Sequence, residues 1–181
     1  IVEELLDFSR MQSGRMKLRY EKIDVLAELD ETVFTFRERA AREGIELIYN
    51  VPHVPTPMSA DANRIKQVFV NILDNALKYT EQGGKVTVSA EIKNSVALNI
   101  SVIDTGCGIP SENLPRVKEK FYKTDYSIRG SGIGLAVADE IVKLHGGALD
   151  IDSILGEGTT VTVSLPIDEV TAEEERGTLN G

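Results

Sequence analysis

Between Asp61 and Thr80 the chain reads DANRIKQVFVNILDNALKYT, and this stretch leaves little choice of structure. Ile65, Val68, Phe69, Ile72 and Ala76 recur at three- and four-residue spacing, as in a helix with one buried stripe, and Asp61 is a suitable N-terminal cap. A second stripe is polar. At about 100° per residue, Asn71, Asn75 and Lys78 stand at roughly 0°, 40° and −20°, a narrow row on another side of the same cylinder. Asparagine competes for its own backbone and is a poor interior helix former, so two of them a turn apart need a reason. An amide oxygen suits Mg²⁺, an amide NH₂ suits phosphate, and lysine adds charge. The row is either a ligand site or a tolerated polar face.

A chain of 181 residues, 41% apolar and 27% charged, has the length and composition for one sizeable core, and no run is long enough to cross a bilayer. Net charge −9 argues against polyanion binding through a general basic surface, so nucleic acid is not an expected partner. The single Cys107 excludes an internal disulfide and fits a reducing, cytoplasmic compartment, with an inert, buried or partly buried thiol as the plain reading.

Residues 1–12 space Ile1, Val2, Leu5, Leu6 and Phe8 as a helix, which Ser13-Gly14 stops. Its uncapped start looks like the last turns of a longer helix; a short packing helix is the alternative. Asp24 is placed to cap a helix from Val25 to about Arg42, with Leu26, Leu29, Val33, Phe36 and Ala40 inward and Gly44 at its end. Residues 45–50 suit a strand, and the three prolines of 51–59 predict a loop. His53 in that loop and the distant His145 lack the neighbours of a metal site. KVTVSAEIK (85–93) and VALNISVID (96–104) alternate at period two around Asn94-Ser95, as in a hairpin. Asp104 ends the second strand beside the glycines of TGCGIP. A helix-like polar segment follows over 111–123, then a helix from about Leu135 to His145, a strand at ALDIDS and a last strand after Gly-Glu-Gly. The tail from Asp168 carries five acids and one arginine, which leaves −5 of the −9 to the body, and its composition predicts disorder. The expected fold is α+β: a two-layer sandwich with three main helices on one face of a mixed sheet.

Gly130-Ser-Gly-Ile-Gly134 before a helix is a natural phosphate cradle, since open backbone N–H groups and a helix N-terminus favour an anion. It is neither a P-loop, lacking GK[ST], nor a dinucleotide fingerprint, since its third glycine comes too early. Four pieces therefore stand in order: an Asn-Asn-Lys helix, a strand ending in Asp-Thr-Gly-Cys-Gly, the Gly-Ser-Gly-Ile-Gly helix entry and a Gly-Glu-Gly-Thr-Thr turn.

In that order the chain, from Ile1 to about Pro166, resembles the catalytic, ATP-binding domain of bacterial sensor histidine kinases, of the GHKL ATPase superfamily. NILDNALKYT is similar to the N box, DTGCGI to the first glycine box, EKFYK to the F box, GSGIGL to the second glycine box and GEGTT to the third. The resemblance implies that Asn75 ligates Mg²⁺, that Asn71 and Lys78 lie near the phosphates of ATP or ADP, and that Tyr79 runs alongside. It implies that Asp104 accepts the adenine amino group, with Gly106, Gly108 and Ile109 bordering the base. Gly130, Gly132, Gly134 and Leu135 would meet the phosphates, Thr160 would line the pocket, and Lys78 and Lys123 would neutralise the γ-phosphate. Residues 1–14 would end a dimerisation and phosphoacceptor helix, 15–167 form the ATP-binding domain and 168–181 the tail. The implied partners are the phosphoacceptor domain of a homodimeric parent protein, of a kind that can be anchored in the cell membrane, and a response regulator.

Three departures stand out. No phosphoacceptor motif occurs in the chain, Lys118 replaces the usual phenylalanine of the F box, and only seven residues separate Tyr122 from Gly130 across the lid. His145, in KLHGG, matches a position that is commonly His and is expected to cap or pack its helix end. The hydrolysing relatives carry a glutamate base where this chain has Asn71, and an amide cannot take a proton from water. The competing readings are a slow ATPase and a nucleotide-sensing module with impaired catalysis.

Overall fold

The computed structural model describes residues 2–116 and 133–168. The expectations for Lys118, the lid, Lys123, Gly130, Gly132 and the tail beyond Asp168 lie outside those residues.

Helix α1 (Val2–Gln12) stops at Gly14, whose φ of 69° suits only a residue without a Cβ. Among its described side chains Phe8 and Met11 are buried, whereas Leu6, also of the apolar spacing, is 51% exposed. Phe8 and Met11 lie three apart on one side of the cylinder, and Leu6 falls about 160° from Phe8. Strand β1 (Glu21–Asp24) leads into α2 (Val25–Arg42), where Asp24 accepts from Ala27 N at 3.4 Å. On α2 Phe36 is only partly buried, and Thr32 is buried in the inner row.

The proline-rich stretch is not wholly loop. Strand β3 (Pro57–Ala60) begins on a proline and pairs antiparallel with β1, forming a separate two-stranded ribbon. A proline at the first residue of an edge strand costs no ladder bond, which is why the prolines did not exclude it.

Among the described residues the main sheet has five strands in the order β2-β4-β5-β7-β6: β2 (Glu46–Asn50), β4 (Lys85–Lys93), β5 (Ala97–Asp104), β6 (Ala148–Ile154) and β7 (Gly158–Pro166). Of these, β2 and β4 run parallel, joined by the crossover through α3 (Ala62–Tyr79), and the other pairs are antiparallel. The β4–β5 turn places Asn94 and Ser95 at left-handed φ of 53° and 60°, in a three-residue loop between the paired Lys93 and Ala97. α2 packs over β2, α3 over β5, and α4 (Gly134–Leu144) over β6 and β7, while α1 rests on α4.

The apolar stripe of α3 fills the space beneath: Ile65, Val68, Phe69, Ile72 and Ala76 are all buried, with Leu73 and Leu77 beside them. They meet the inward residues Val86, Val88, Leu98, Ile100 and Val102 of the sheet in one core. Removing a large member such as Phe69 would cost roughly 3–5 kcal/mol.

The far ends of α3 and α4 are joined. Asp61 caps α3 by accepting from Arg64 N at 3.2 Å, and its own amide donates to Nε2 of the buried His145 at 3.1 Å. His145 Nδ1 lies 2.7 Å from Ile141 O, so the ring is the neutral tautomer with its proton on Nδ1. Packing at the helix end, as expected for His145, is thus accompanied by a bond to the next helix.

Candidate nucleotide-binding site

Asp104 is the last residue of β5, buried to 6% exposure on the helix side of the sheet. Its Oδ1 accepts from Gly106 N at 2.9 Å and from Thr159 N at 3.3 Å. Both bonds go to one oxygen. Burial pushes the carboxyl above the ordinary carboxylate range, and the two amides pull partly against that shift.

Glycines shape the space around it. A Cβ on Gly106 would collide with Tyr79 O and sit 2.9 Å from Asp104 Oδ1, and one on Gly108, at φ 72°, would collide with Ile154 O. The loop is tied by its backbone: Cys107 N donates to Tyr79 O at 3.3 Å, Gly156 N to Cys107 O at 2.8 Å, and Ile109 N to Ser153 Oγ at 2.8 Å. Ser153 in turn donates to Gly158 O at 2.8 Å. Cys107 is exposed, contrary to the expected full or partial burial, because its neighbours on both sides occupy the backbone-packed positions.

One position shifts by a residue. Thr160 pairs with Ile103, and both belong to the face of the sheet away from the helices; Thr159 pairs with Asp104 and is buried beside it. Strand alternation makes the neighbour of Asp104 Thr159, not Thr160. The paired register of β5 and β7 is the signal, and it is not visible in either strand alone.

The other end of the site is made by side chains. Asn71, Asn75 and Lys78 are all half-buried along α3. Asn71 Nδ2 donates to Gly134 O at 3.0 Å, joining the polar row to the first residue of α4. Lys78 Nζ lies 3.5 Å from Asp74 Oδ2. The α4 N-cap, Ile133, makes no side-chain cap bond, so first-turn amides around Gly134 and Leu135 lack that partner. Gly134 itself has room: a Cβ there would approach nothing closer than 3.9 Å. The fold thus joins Asn71 to Gly134 at one end, gathers Tyr79, Asp104, Gly106, Gly108 and Ile109 at the other, and runs the row of Asn75 and Lys78 along α3 between them.

The donor set suits a magnesium nucleotide. A carboxylate with an unengaged oxygen, a floor with no room for a Cβ, and a half-buried amide oxygen are what a purine and a hard cation require. Among the described residues no group of three or more His, Cys, Asp and Glu side chains is placed to hold a metal ion by itself. A separate groove lined by Asp24, Asp30, Tyr49, Pro52, His53 and Pro55 shares none of these positions. There burial first, then the charge of Asp30, pushes the Tyr49 hydroxyl up to about 12.

The family model for histidine kinase-, DNA gyrase B- and HSP90-like ATPases matches residues 60–169. The chain belongs to that family. Within it the chain is of the sensor histidine kinase type, the catalytic ATP-binding domain. It is 37% identical over 174 residues to the sensor histidine kinase WalK of Bacillus subtilis, covering 93% of this chain and 28% of that one. To the non-motile and phage-resistance protein of Caulobacter vibrioides it is 34% identical over 174 residues, covering 92% and 20%. The full-length ShkA complex with AMPPNP superimposes with TM-score 0.83 at 29% identity, over 94% of this chain and 36% of that one. The mycobacterial sensor histidine kinase MprB superimposes with TM-score 0.74 at 29% identity, over 84% and 100%. This kinase domain therefore spans about a fifth to a third of the curated relatives. Among its described residues no helix is long and apolar enough to cross a membrane.

Proposed function

We propose that this domain binds Mg-ATP between the Asp104 loop and the α3–α4 polar row, and presents the γ-phosphate to a histidine carried outside residues 1–181. The observation that carries the reading is Asp104: a buried carboxylate whose protein bonds fall on Oδ1, leaving Oδ2 as an acceptor for the exocyclic amine of adenine. Gly106 and Gly108 admit the base edge, and Thr159 closes the pocket beside the carboxylate.

Asn75 would hold Mg²⁺ through its amide oxygen, with Asn71 and Lys78 near the phosphates and α4 offering its first-turn amides. The metal, when bound, offsets phosphate charge in the transfer. What this chain contributes is position and charge. Asn71, one of whose amide donors bonds Gly134 O, cannot take a proton from water, so the domain lacks a base at that position and favours transfer to histidine over hydrolysis. A response regulator would then take the phosphoryl group from that histidine.

Calorimetry with Mg-ATP, followed by γ-labelled ATP with the phosphoacceptor domain of a relative supplied in trans, tests the reading. Binding, little hydrolysis and acid-labile label on the added domain are expected. Binding without transfer would favour a nucleotide-sensing module, and rapid phosphate release without the added domain would favour an ATPase.

A further inference from the structure

Lys78, the cation of the polar row, already has a partner in Asp74, one helical turn earlier, at 3.5 Å from Oδ2. The other oxygen of Asp74 lies 2.6 Å from Nη1 of Arg39 on α2. Arg39 is held on two further sides: Nε bonds Glu43 Oε1 at 2.9 Å, and the guanidinium lies 5.9 Å from the Phe36 ring centroid. The Lys78 and Arg39 side chains are 24% and 28% exposed and that of Asp74 41%, so the group is partly desolvated.

A carboxylate at this position poses an electrostatic problem. Asp74 precedes Asn75 directly and bonds Lys78, so it stands next to two residues assigned to the metal and phosphates. A bare carboxylate there repels a triphosphate and retains Lys78 as its sole counter-ion. Arg39 eases both difficulties. It engages Oδ1 through the shorter contact, so Lys78 is the more weakly held partner, and its departure leaves Asp74 with one cationic partner, which Asp74 shares with Glu43.

We propose that Arg39 is a positioning residue for phosphate binding, compensating the Asp74 carboxylate so that Lys78 can exchange Asp74 for the phosphates of ATP. The inference rests on the reading of Lys78 as a phosphate ligand. Arg39 itself touches no nucleotide in this scheme; it acts from α2 through one carboxylate.

The test is a set of titrations on the whole chain with ATP and with adenosine, which has the base and no phosphate. Arg39→Gln is expected to weaken ATP about three- to tenfold and to leave adenosine within about twofold. Adding Asp74→Asn should restore ATP binding, because the charge that trapped Lys78 is gone, and Arg39→Lys should retain most of it. A fold defect would instead weaken both ligands together, and no second substitution at Asp74 would repair it. Equal losses for ATP and adenosine, or no recovery in the double variant, overturn the proposal. Lys78→Gln separates it from the reading beneath. If Lys78→Gln leaves the preference for ATP over adenosine unchanged, the lysine is no phosphate ligand and both ideas fall. If that preference drops with Lys78→Gln but not with Arg39→Gln, only the role of Arg39 fails.

Discussion

The two ends of the site are built by different means. At the proposed adenine end, Asp104, Gly106, Gly108 and Thr159 are set by sheet register and backbone hydrogen bonds, and the Asp104 carboxylate is buried. At the phosphate end, Asn71, Asn75 and Lys78 are half-exposed side chains, two of them held by single contacts to Gly134 O and Asp74. A floor made of backbone has one shape and rejects misfits. A row of side chains can exchange partners, which suits a group that must hold a phosphate and then give it up.

The sharpest way to break this contrast is Asp104→Asn. The amide keeps an acceptor for Gly106 N and Thr159 N but presents NH₂ where the adenine amine must donate, so ADP affinity should fall roughly 10- to 100-fold. Inosine diphosphate, which lacks that amine, should lose much less in parallel calorimetry; an equal loss would remove Asp104 from the adenine. The same substitution carries a pH signature. Because the folded carboxyl titrates above the ordinary value of 3.8, its ionised form costs stability at neutral pH, and that cost is relieved as pH falls through the raised value. Asp104→Asn without nucleotide should therefore be at least as stable as the parent at pH 7, and melts taken towards pH 4 should show the advantage shrinking. Binding of adenine nucleotides to the parent should weaken over that same interval.

A matched pair of glycines sharpens the contrast further. Gly106→Ala forces a methyl group against Tyr79 O and should cost about 1–3 kcal/mol by thermal or urea unfolding, with loss of ADP binding. Gly134→Ala, with space around it at the start of α4, should be neutral or stabilise by a few tenths of a kcal/mol. If both glycines responded alike, the distinction between a backbone-packed floor and an open helix entry would be lost. Asn71→Ala lies between: removing its bond to Gly134 O should cost about 1 kcal/mol in unfolding, and a double variant with Gly134→Ala would show whether the two positions couple.

Much of this was legible from residues alone, and the reason differs by element. Asp24 and Asp61 cap their helices as local chemistry dictates, and the Asn94-Ser95 hairpin and the inward stripe of α3 follow from periodicities within one segment. Nothing local marks the pairing of β1 with β3, because that ribbon joins segments more than thirty residues apart and starts on a proline. Thr159 was missed for Thr160 on the same ground: alternation within β7 says which residues share a face, but only its register against β5 says which of them meets Asp104. The ion pairs of Asp74 join α2 to α3 and have no signature in either helix.

The strand order has a consequence for how the domain comes into being. β6 leaves the ribosome before β7 yet, among the described residues, pairs with nothing but β7, which inserts between β5 and β6. The amide of Thr159 that completes the setting of Asp104 belongs to that final strand. A nascent chain ending before Gly158 would have its N box and first glycine box in full and still lack the Thr159 amide on Asp104, so nucleotide held in the proposed way would not template the early steps of folding. Ligand rescue of a slow-folding variant should accordingly begin only once residues 158–166 have cleared the exit tunnel, which stalled-chain binding assays of graded length would detect.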